Sequence, residues 1–329
     1  MKPLSNLNKY KGKISKGFIL LFFILMFSYP HASYKGASSG LMLWFMNVLP
    51  ALLPFIIVSN MMIRLNIAGK ISRLLYPLLG KLFRVCPNGC YPIMVGFLSG
   101  LPMGAKSTAD LVEAGRIDCD EGSFLLSMCN NVSPVFIMNY IAANQLKMPK
   151  LRFALFALIY GSSVISANLY RMYKKNRKKI IKISELNEKK AEIHNEYISV
   201  RFSFDILDKS ILNGFEVITK IGGYIILFSI LAQIINEAVS GLGLFKAIVI
   251  GILEVTTGID QICKLPIDNN IKIVLVSVLT SFGGLSGLAQ TKSVLGKSRL
   301  SIKSYVAVKL LGAFVAMLLS LLYVFYIKK

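Results

Sequence analysis

Long apolar stretches separated by short basic segments dominate this chain of 329 residues. Several windows reach the length of about 20 apolar residues that a helix needs to cross a hydrocarbon core, with few or no charges inside them. The alternation of apolar and polar positions that marks a membrane β-barrel does not accompany them. The pattern therefore predicts an all-α polytopic membrane protein.

Six apolar windows predict crossings. We interpret the first, which follows a lysine-rich start, as an uncleaved helix rather than a signal peptide. The windows are residues 17–30, 40–63, 123–143, 153–170, 221–235 and 305–326. A stretch at 66–85 mixes Lys and Arg with Ile, Leu and Phe, which predicts an amphipathic helix at the membrane surface. Residues 204–215 predict another amphipathic segment.

Two apolar windows carry residues that break helices. Residues 91–103 are too few to cross and are interrupted by glycine and proline, which predicts a re-entrant hairpin. The window 123–143 holds Cys-Asn-Asn-Val-Ser-Pro at its middle. This composition predicts a helix that is broken at membrane depth and lines a polar cavity. The window 244–263 holds one carboxylate, Glu254, near its centre.

Charge fits the membrane interpretation. The chain has 38 Lys and Arg against 16 Asp and Glu, and 54% of its residues are hydrophobic. The basic residues cluster beside the apolar windows, and no basic stripe is interleaved with aromatics, so we predict no nucleic-acid partner. Residues 171–201 carry the strongest basic excess, which predicts a cytoplasmic loop. We expect both termini on the same side as this loop.

The cysteine and histidine residues do not predict an enzyme active site or a metal site. Of the five cysteines only Cys86 and Cys90 are close in sequence, and His31 and His194 belong to no cluster of ligands or nucleophiles. We therefore expect no catalytic residue, no metal site and no cofactor.

A weak internal repeat aligns residues 97–107 with residues 281–291, with three identities. Three predicted crossings separate the copies, and an odd number inverts one copy relative to the other, as in many secondary transporters. The sequence thus predicts two inverted repeats, each with a re-entrant hairpin. This arrangement places Lys292, Lys297, Arg299 and Lys303 outside, against the positive-inside tendency. The predicted division is 1–39 (tail and first helix), 40–170 (first repeat), 171–203 (basic loop) and 204–329 (second repeat).

At these residues the sequence resembles the Gate-domain family, also called nucleoside-recognition domain membrane proteins, and within it the sporulation integral membrane proteins of the YlbJ type. The resemblance rests on GFLSGLPMGAKSTADLVEAGRI, LLSMCNNVSPVFIMNYI, ILEVTTG and SFGGLSGLAQTKSVL, within residues 40–327. It implies a fold similar to concentrative nucleoside transporters, with paired re-entrant hairpins. For the sporulation branch it implies a role in provisioning the spore, with dipicolinate, a small aromatic dicarboxylate, as candidate cargo. The location implied is the bacterial cell membrane, with a forespore membrane left open.

The candidate site combines three groups of residues. Each hairpin tip contributes backbone N–H groups at the N-terminus of a half-helix, and these groups favour anions. Polar residues lie just beyond each tip. The broken helix contributes side-chain amides, and Glu254 is the candidate for ion coupling because an ionisable group at that depth usually marks an ion path. The substrate-binding candidates are Gly100, Pro102, Gly104, Lys106, Ser107, Asn130, Asn131, Ser133, Gly284, Ser286, Gln290 and Thr291.

Each group also has a structural explanation. The glycines can serve only close helix packing, and the amides can serve only bonds between helices. The polar residues beyond the tips can be solvated, and Glu254 can lie in water if its window is flat on the membrane. Lys309 lies about one turn inside its window, from where it can snorkel, so it is not counted in the site.

The leading hypothesis is a membrane transporter of a small polar or anionic solute that acts in sporulation. The alternatives are a non-transporting scaffold or regulator of spore formation, and a nucleoside or nucleobase transporter. The expected partners are membrane lipids and the solute, and a homo-oligomer is left open. A transporter needs the amides and hairpin glycines for activity, whereas a scaffold depends on loop surfaces such as 171–201.

Overall fold

Helices make up all the regular structure in the described part of the chain. A computed structural model describes residues 3–65, 67–181, 202–239, 241 and 243–327. The α-helices there are α1 (Pro3–Ser28), α2 (Pro30–Leu43), α3 (Leu49–Arg64), α4 (Ile67–Leu75), α5 (Lys81–Phe83), α6 (Cys90–Ser99), α7 (Met103–Glu113), α8 (Cys119–Cys129), α9 (Arg152–Ile181), α10 (Phe204–Ala238), α11 (Gly243–Leu253), α12 (Val255–Lys264), α13 (Asn269–Phe282), α14 (Gly284–Val294) and α15 (Ile302–Leu322). Short π-helical segments join or extend them at Trp44–Val48, Tyr76–Gly80, Phe136–Gln145 and Tyr323–Ile327.

The predicted all-α polytopic class is confirmed. Four segments in the described residues are long and apolar enough to cross a membrane: Pro149–Lys174, Phe204–Ala238, Asn269–Val294 and Ile302–Tyr326. Two bent helix pairs, at residues 16–46 and 52–83, raise this number to six if each pair counts as one span. The amphipathic stretch 204–215 and the window 221–235, predicted as separate elements, form the single helix α10.

The first two predicted crossings are joined differently from the expectation. α1 and α2 meet with a bend of 105°, and Pro30 begins α2, where its missing N–H removes no helical bond. The helix therefore resumes at Pro30 rather than at residue 40. α2 packs along α10 through two glycines, because a Cβ on Gly36 would lie 2.7 Å from the Cα of Ile230 and one on Gly40 would lie 2.9 Å from that of Ile226.

The amphipathic segment after α3 turns away from it by 93°. It consists of α4, the π-helical segment Tyr76–Gly80 and α5. Its placement at a membrane surface stays a prediction.

Each half of the protein contains a helical hairpin followed by a broken helix and an unbroken helix. In the first half α6 and α7 pack together as the hairpin, α8 and the π-helical segment Phe136–Gln145 form the broken helix, and α9 is unbroken. In the second half the same order is α11 with α12, α13 with α14, and α15.

The second hairpin does not lie where the sequence alignment put it. Residues 281–291 belong to Asn269–Val294, one 26-residue segment in which α14 continues beyond α13 instead of folding back. The chain reverses earlier, at Glu254, inside the window that was predicted as one apolar stretch. There the two arms touch, because a Cβ on Gly258 would overlap the backbone of Gly251. The register of residues 97–107 with 281–291 is therefore wrong.

The order of elements in α6–α9 matches that in α11–α15. Two candidate spans, α9 and α10, lie between the two hairpins, together with the first broken helix, which is not among the candidate spans of the described residues. The inversion of the two copies stays a prediction.

The loops around Arg171 gather at one end of the molecule, here called the Arg171 end. The Arg171 guanidinium donates to the carbonyl oxygens of Phe83 and Arg84, at 2.9 and 2.6 Å. Lys174 pairs with Asp120 at 2.9 Å. These bonds bring the loop before α6 and the start of α8 to the C-terminal half of α9.

The loop between α14 and α15 lies at the same end. The backbone N–H of Lys297 donates to the carboxylate of Glu113, which ends α7. The basic residues Lys292, Lys297, Arg299 and Lys303 of this region therefore lie with the loops of the Arg171 end.

The end of α15 lies on the opposite side of the molecule. Tyr323 and Val324 pack against a cluster that includes Leu151 and Leu155, at the start of α9. Arg171 lies 19 residues beyond Arg152, about 28 Å along the helix axis at 1.5 Å per residue. The described end of the chain at Tyr323 and Val324 thus lies away from Arg171, which argues against the expectation that the C-terminus shares a side with the loop 171–201. Residues 182–201 and Lys328–Lys329 themselves lie outside the described residues.

This geometry predicts that the C-terminus and the loop 182–201 face opposite sides of the membrane. A reporter that is active only outside the cell should be active when it is fused after Lys329 and silent when it is inserted within 182–201. A reporter that is active only in the cytoplasm should give the reverse result. Cytoplasmic activity at both positions would contradict the prediction.

Candidate functional site

The break in the first broken helix holds two buried amides. Asn130, with no exposed surface, donates through Nδ2 to Thr291 Oγ1 and to the Tyr305 hydroxyl, both at 2.8 Å. Its Oδ1 accepts from the backbone N–H of Ala105 at 3.3 Å. A single side chain thus connects the first broken helix to α7, α14 and α15, and joins the two halves of the protein.

Asn131 makes a second set of contacts. Its Nδ2 donates to the Met128 carbonyl oxygen at 2.7 Å, and its Oδ1 accepts from Lys309 Nζ at 2.9 Å. Its own carbonyl oxygen accepts from the N–H of Leu101 at the tip of the first hairpin. The predicted amide pair is therefore located at the centre of the structure, with its donors already bonded within the protein.

Lys309 is the site residue that sequence reasoning missed. It lies two turns into α15, is 5% exposed, and does not snorkel. Nζ lies 5.6 Å from the centre of the Tyr305 ring. The spacing of Tyr305 and Lys309, four residues apart, was the available signal, since it places both on one helix face. Gly312 and Ala316, also buried, continue that face.

Close packing accounts for the glycines of the first hairpin. A Cβ on Gly100, whose φ is +79°, would lie 2.6 Å from the Ser133 nitrogen, and one on Gly104 would lie 2.5 Å from the Cys129 carbonyl oxygen. Pro102 precedes the first residue of α7. These residues bring the hairpin tip into direct contact with the broken helix.

The polar residues just beyond the first hairpin tip are bonded within their own segments. Lys106 Nζ donates to both carboxylate oxygens of Asp110 at 2.7 Å, and Ser107 Oγ donates to the Met103 carbonyl oxygen at 2.9 Å. Ser133 Oγ accepts from the N–H of Phe136 at 3.3 Å. None of these three contacts reaches the second half of the protein.

In the second half, one of the four predicted residues joins the amides. Thr291 accepts from Asn130, whereas Gln290 Nε2 donates to Ser286 Oγ at 3.1 Å on the same helix. Gly284 begins α14 against the second hairpin, where a Cβ would lie 3.3 Å from the Val255 nitrogen. Each hairpin tip therefore rests on the broken helix of its own half.

Glu254 forms the turn of the second hairpin. Its carboxylate accepts from the N–H groups of Thr256 and Thr257, at 3.0 and 2.7 Å, and from the Thr257 hydroxyl at 2.7 Å. It is 5% exposed, so the alternative that it lies in water is wrong. These bonds make it the N-cap of α12. Its role in ion coupling stays a prediction.

One known protein aligns with nearly the whole chain. Sporulation integral membrane protein YlbJ of Bacillus subtilis (strain 168) is 27% identical over 343 aligned residues, which cover 97% of this chain and 84% of the relative. The chain resembles the YlbJ type. Together with the apolar helices, this similarity supports a multi-pass integral membrane protein in sporulation.

No family model and no solved structure matches the chain. The Gate-domain assignment and the similarity to concentrative nucleoside transporters therefore stay predictions, as does a location in the forespore membrane.

The packing of Gly104 gives a stability prediction. Gly104→Ala should destabilise the protein by about 1–3 kcal/mol, because the new methyl group meets a backbone carbonyl that cannot move aside. The matched control is Gly223→Ala in α10, where no atom lies within 4 Å of the new Cβ and alanine favours the helix by about 1 kcal/mol. Thermal unfolding of the two purified variants in detergent measures the difference. An equal or greater loss for Gly223→Ala would contradict the packing.

Proposed function

We propose that this protein is an integral membrane transporter of a small polar or anionic solute that acts in sporulation. One observation carries the proposal: the first broken helix is interrupted at the buried Asn130, whose side chain bonds to Thr291 and Tyr305 of the second half. An unbroken helix satisfies its own backbone in a membrane, whereas a break requires other partners. A scaffold needs no such breaks, but a solute site does.

The bonds at the junction also indicate how it works. Asn130 links the first broken helix to α14 and α15, which belong to the second half. Movement of one half against the other separates these partners. The amide and hydroxyl groups then lose their internal bonds and become available to a polar solute. In this proposal the bonded arrangement corresponds to the closed state of that cycle.

The cargo class follows from the resemblance to the sporulation branch, for which dipicolinate is the candidate. Its two carboxylates and ring nitrogen are acceptors, and the Asn130, Tyr305 and Thr291 groups include the donors to match them. The alternatives are a nucleoside or nucleobase as cargo, and a scaffold without cargo.

Uptake into liposomes that contain the pure protein tests the proposal. We expect uptake of labelled dipicolinate above the level of protein-free liposomes, and little uptake of a labelled nucleoside. Preference for the nucleoside would favour the second cargo class. No uptake of either solute by correctly inserted protein would favour the scaffold.

The amides give a prediction about transport. The double substitution Asn130→Ala, Asn131→Ala should weaken apparent affinity about tenfold or more, because each buried contact contributes about 1–3 kcal/mol. Uptake per inserted molecule and membrane abundance are both measured.

The control is Asn60→Ala, a buried amide that donates to Asn213 at 2.8 Å, between α3 and α10. It should lower abundance without changing uptake per molecule. Full uptake per molecule by the double variant would show that the amides serve helix packing alone.

A further inference from the structure

We propose that Lys309 supplies the positive charge that recognises the anionic group of the cargo, while Asn131 holds its ammonium group when no anion is present. The inference rests on the proposed transport function and deepens it by assigning one residue to charge selection.

The surroundings of Lys309 leave its charge without a counter-charge. Nζ has three N–H donors. Among the described residues it has one hydrogen-bond acceptor, Asn131 Oδ1 at 2.9 Å, and forms no ion pair with a carboxylate. The Tyr305 ring at 5.6 Å is the other neighbour that attracts a cation. An ammonium group in an apolar interior is strongly disfavoured unless it is paired.

A second buried lysine shows how the same chain neutralises such a charge with one of its own carboxylates. Lys106 is 7% exposed, and Asp110, one helical turn later, accepts two hydrogen bonds from its Nζ. The residue one turn after Lys309 is Ala313. The residue one turn before it is Tyr305, which carries no charge to offset the ammonium group. An anion from outside the chain can supply the counter-charge that Lys309 lacks among the described residues, and it thereby favours the ammonium form.

An independent feature lies on the first hairpin, which also contacts Asn131. The hydroxyl oxygen of Ser99 is buried and has no hydrogen-bond partner. Two residues later, the N–H of Leu101 donates to the Asn131 carbonyl oxygen. The hairpin that contacts Asn131 thus carries a buried hydroxyl without a partner, and a hydroxyl can donate a hydrogen bond to a carboxylate.

Binding proceeds by exchange of partners. A cargo carboxylate replaces Asn131 Oδ1 at Lys309 Nζ, and the bond formed joins two charges instead of a charge and a neutral amide. Two opposite charges attract each other more strongly than a charge and a neutral amide at the same distance, most of all in an interior of low dielectric constant. The exchange therefore favours an anion over an uncharged solute of the same shape.

The test compares Lys309→Met with Lys303→Met, which removes an exposed lysine from the same helix. The probes are pyridine-2,6-dicarboxylate and its uncharged diamide. Ligand-induced thermal stabilisation of the purified full-length protein reports binding. We expect the dicarboxylate, but not the diamide, to stabilise the wild type and Lys303→Met. For Lys309→Met its affinity should fall about tenfold to a hundredfold.

Misfolding is separated from loss of binding by the same measurement. Without ligand, Lys309→Met should be at least as stable as the wild type, because methionine removes an unpaired buried charge and fills a similar volume. Equal binding of the dicarboxylate by Lys309→Met and the wild type would overturn the proposal. A wild type that is stabilised equally by both probes, or by neither, would also overturn it.

The uptake assay distinguishes failure of this inference from failure of the proposed function. If the dicarboxylate binds through Lys309 but no uptake occurs, the anion site stands and the transport proposal fails. If the wild type and Lys309→Met take up the dicarboxylate equally, transport stands and the assignment of Lys309 fails.

Discussion

The requirement that buried backbone groups be hydrogen-bonded inside the protein organises this fold. In an apolar medium a broken helix exposes N–H and carbonyl groups that water cannot satisfy. The first break is closed by another part of the chain, because the N–H of Leu101 bonds to Asn131 and that of Ala105 to Asn130. The second hairpin closes its own turn, because the N–H groups of Thr256 and Thr257 bond to the Glu254 carboxylate. The contact between the hairpin and the broken helix in the first half follows from this requirement.

The sequence predicted the two breaks of the first half, because glycine, proline and amide residues mark both of them. Glycine and proline at Gly100 and Pro102, and amides with a proline at 130–134, weaken a helix wherever they occur, so both breaks could be predicted. The second hairpin could not, because its turn contains no glycine or proline. Glu254, between Leu253 and Val255, caps α12 where the chain reverses. The cap depends on three specific hydrogen bonds to its carboxylate, and the sequence pattern does not reveal them. The glycine-rich stretch at 283–287 matched the first hairpin in composition, yet Gly283 and Gly284 interrupt the helix without reversing it.

Moving the second hairpin changes the topology of everything that follows it. When the hairpin is placed at 281–291, the basic residues from Lys292 to Lys303 lie outside the cell. With the hairpin at Glu254, α13 and α14 cross before those residues, and the Glu113 contact places Lys297 at the Arg171 end. The positive-inside conflict then disappears, since the basic loops of both halves share one end. The depth of Lys309 in the membrane could not be predicted from the apolar window either. It depends on where α15 begins, at Ile302, and on which face of α15 is buried.

The two halves repeat the same elements but do not present the same chemistry at the first break. α9 contributes hydroxyls: Tyr160 donates to the Val132 carbonyl oxygen at 3.1 Å and Ser163 to that of Met128 at 3.1 Å. α15, its counterpart, contributes the Tyr305 hydroxyl and the Lys309 ammonium group to the two amides. The hydroxyls of α9 satisfy carbonyl groups that the break exposes, so they are needed for the fold itself. Lys309 bonds to a side chain, and its removal leaves no backbone group unsatisfied. A single position on a structurally repeated framework can therefore set the preference for charge, while the framework that holds it remains intact.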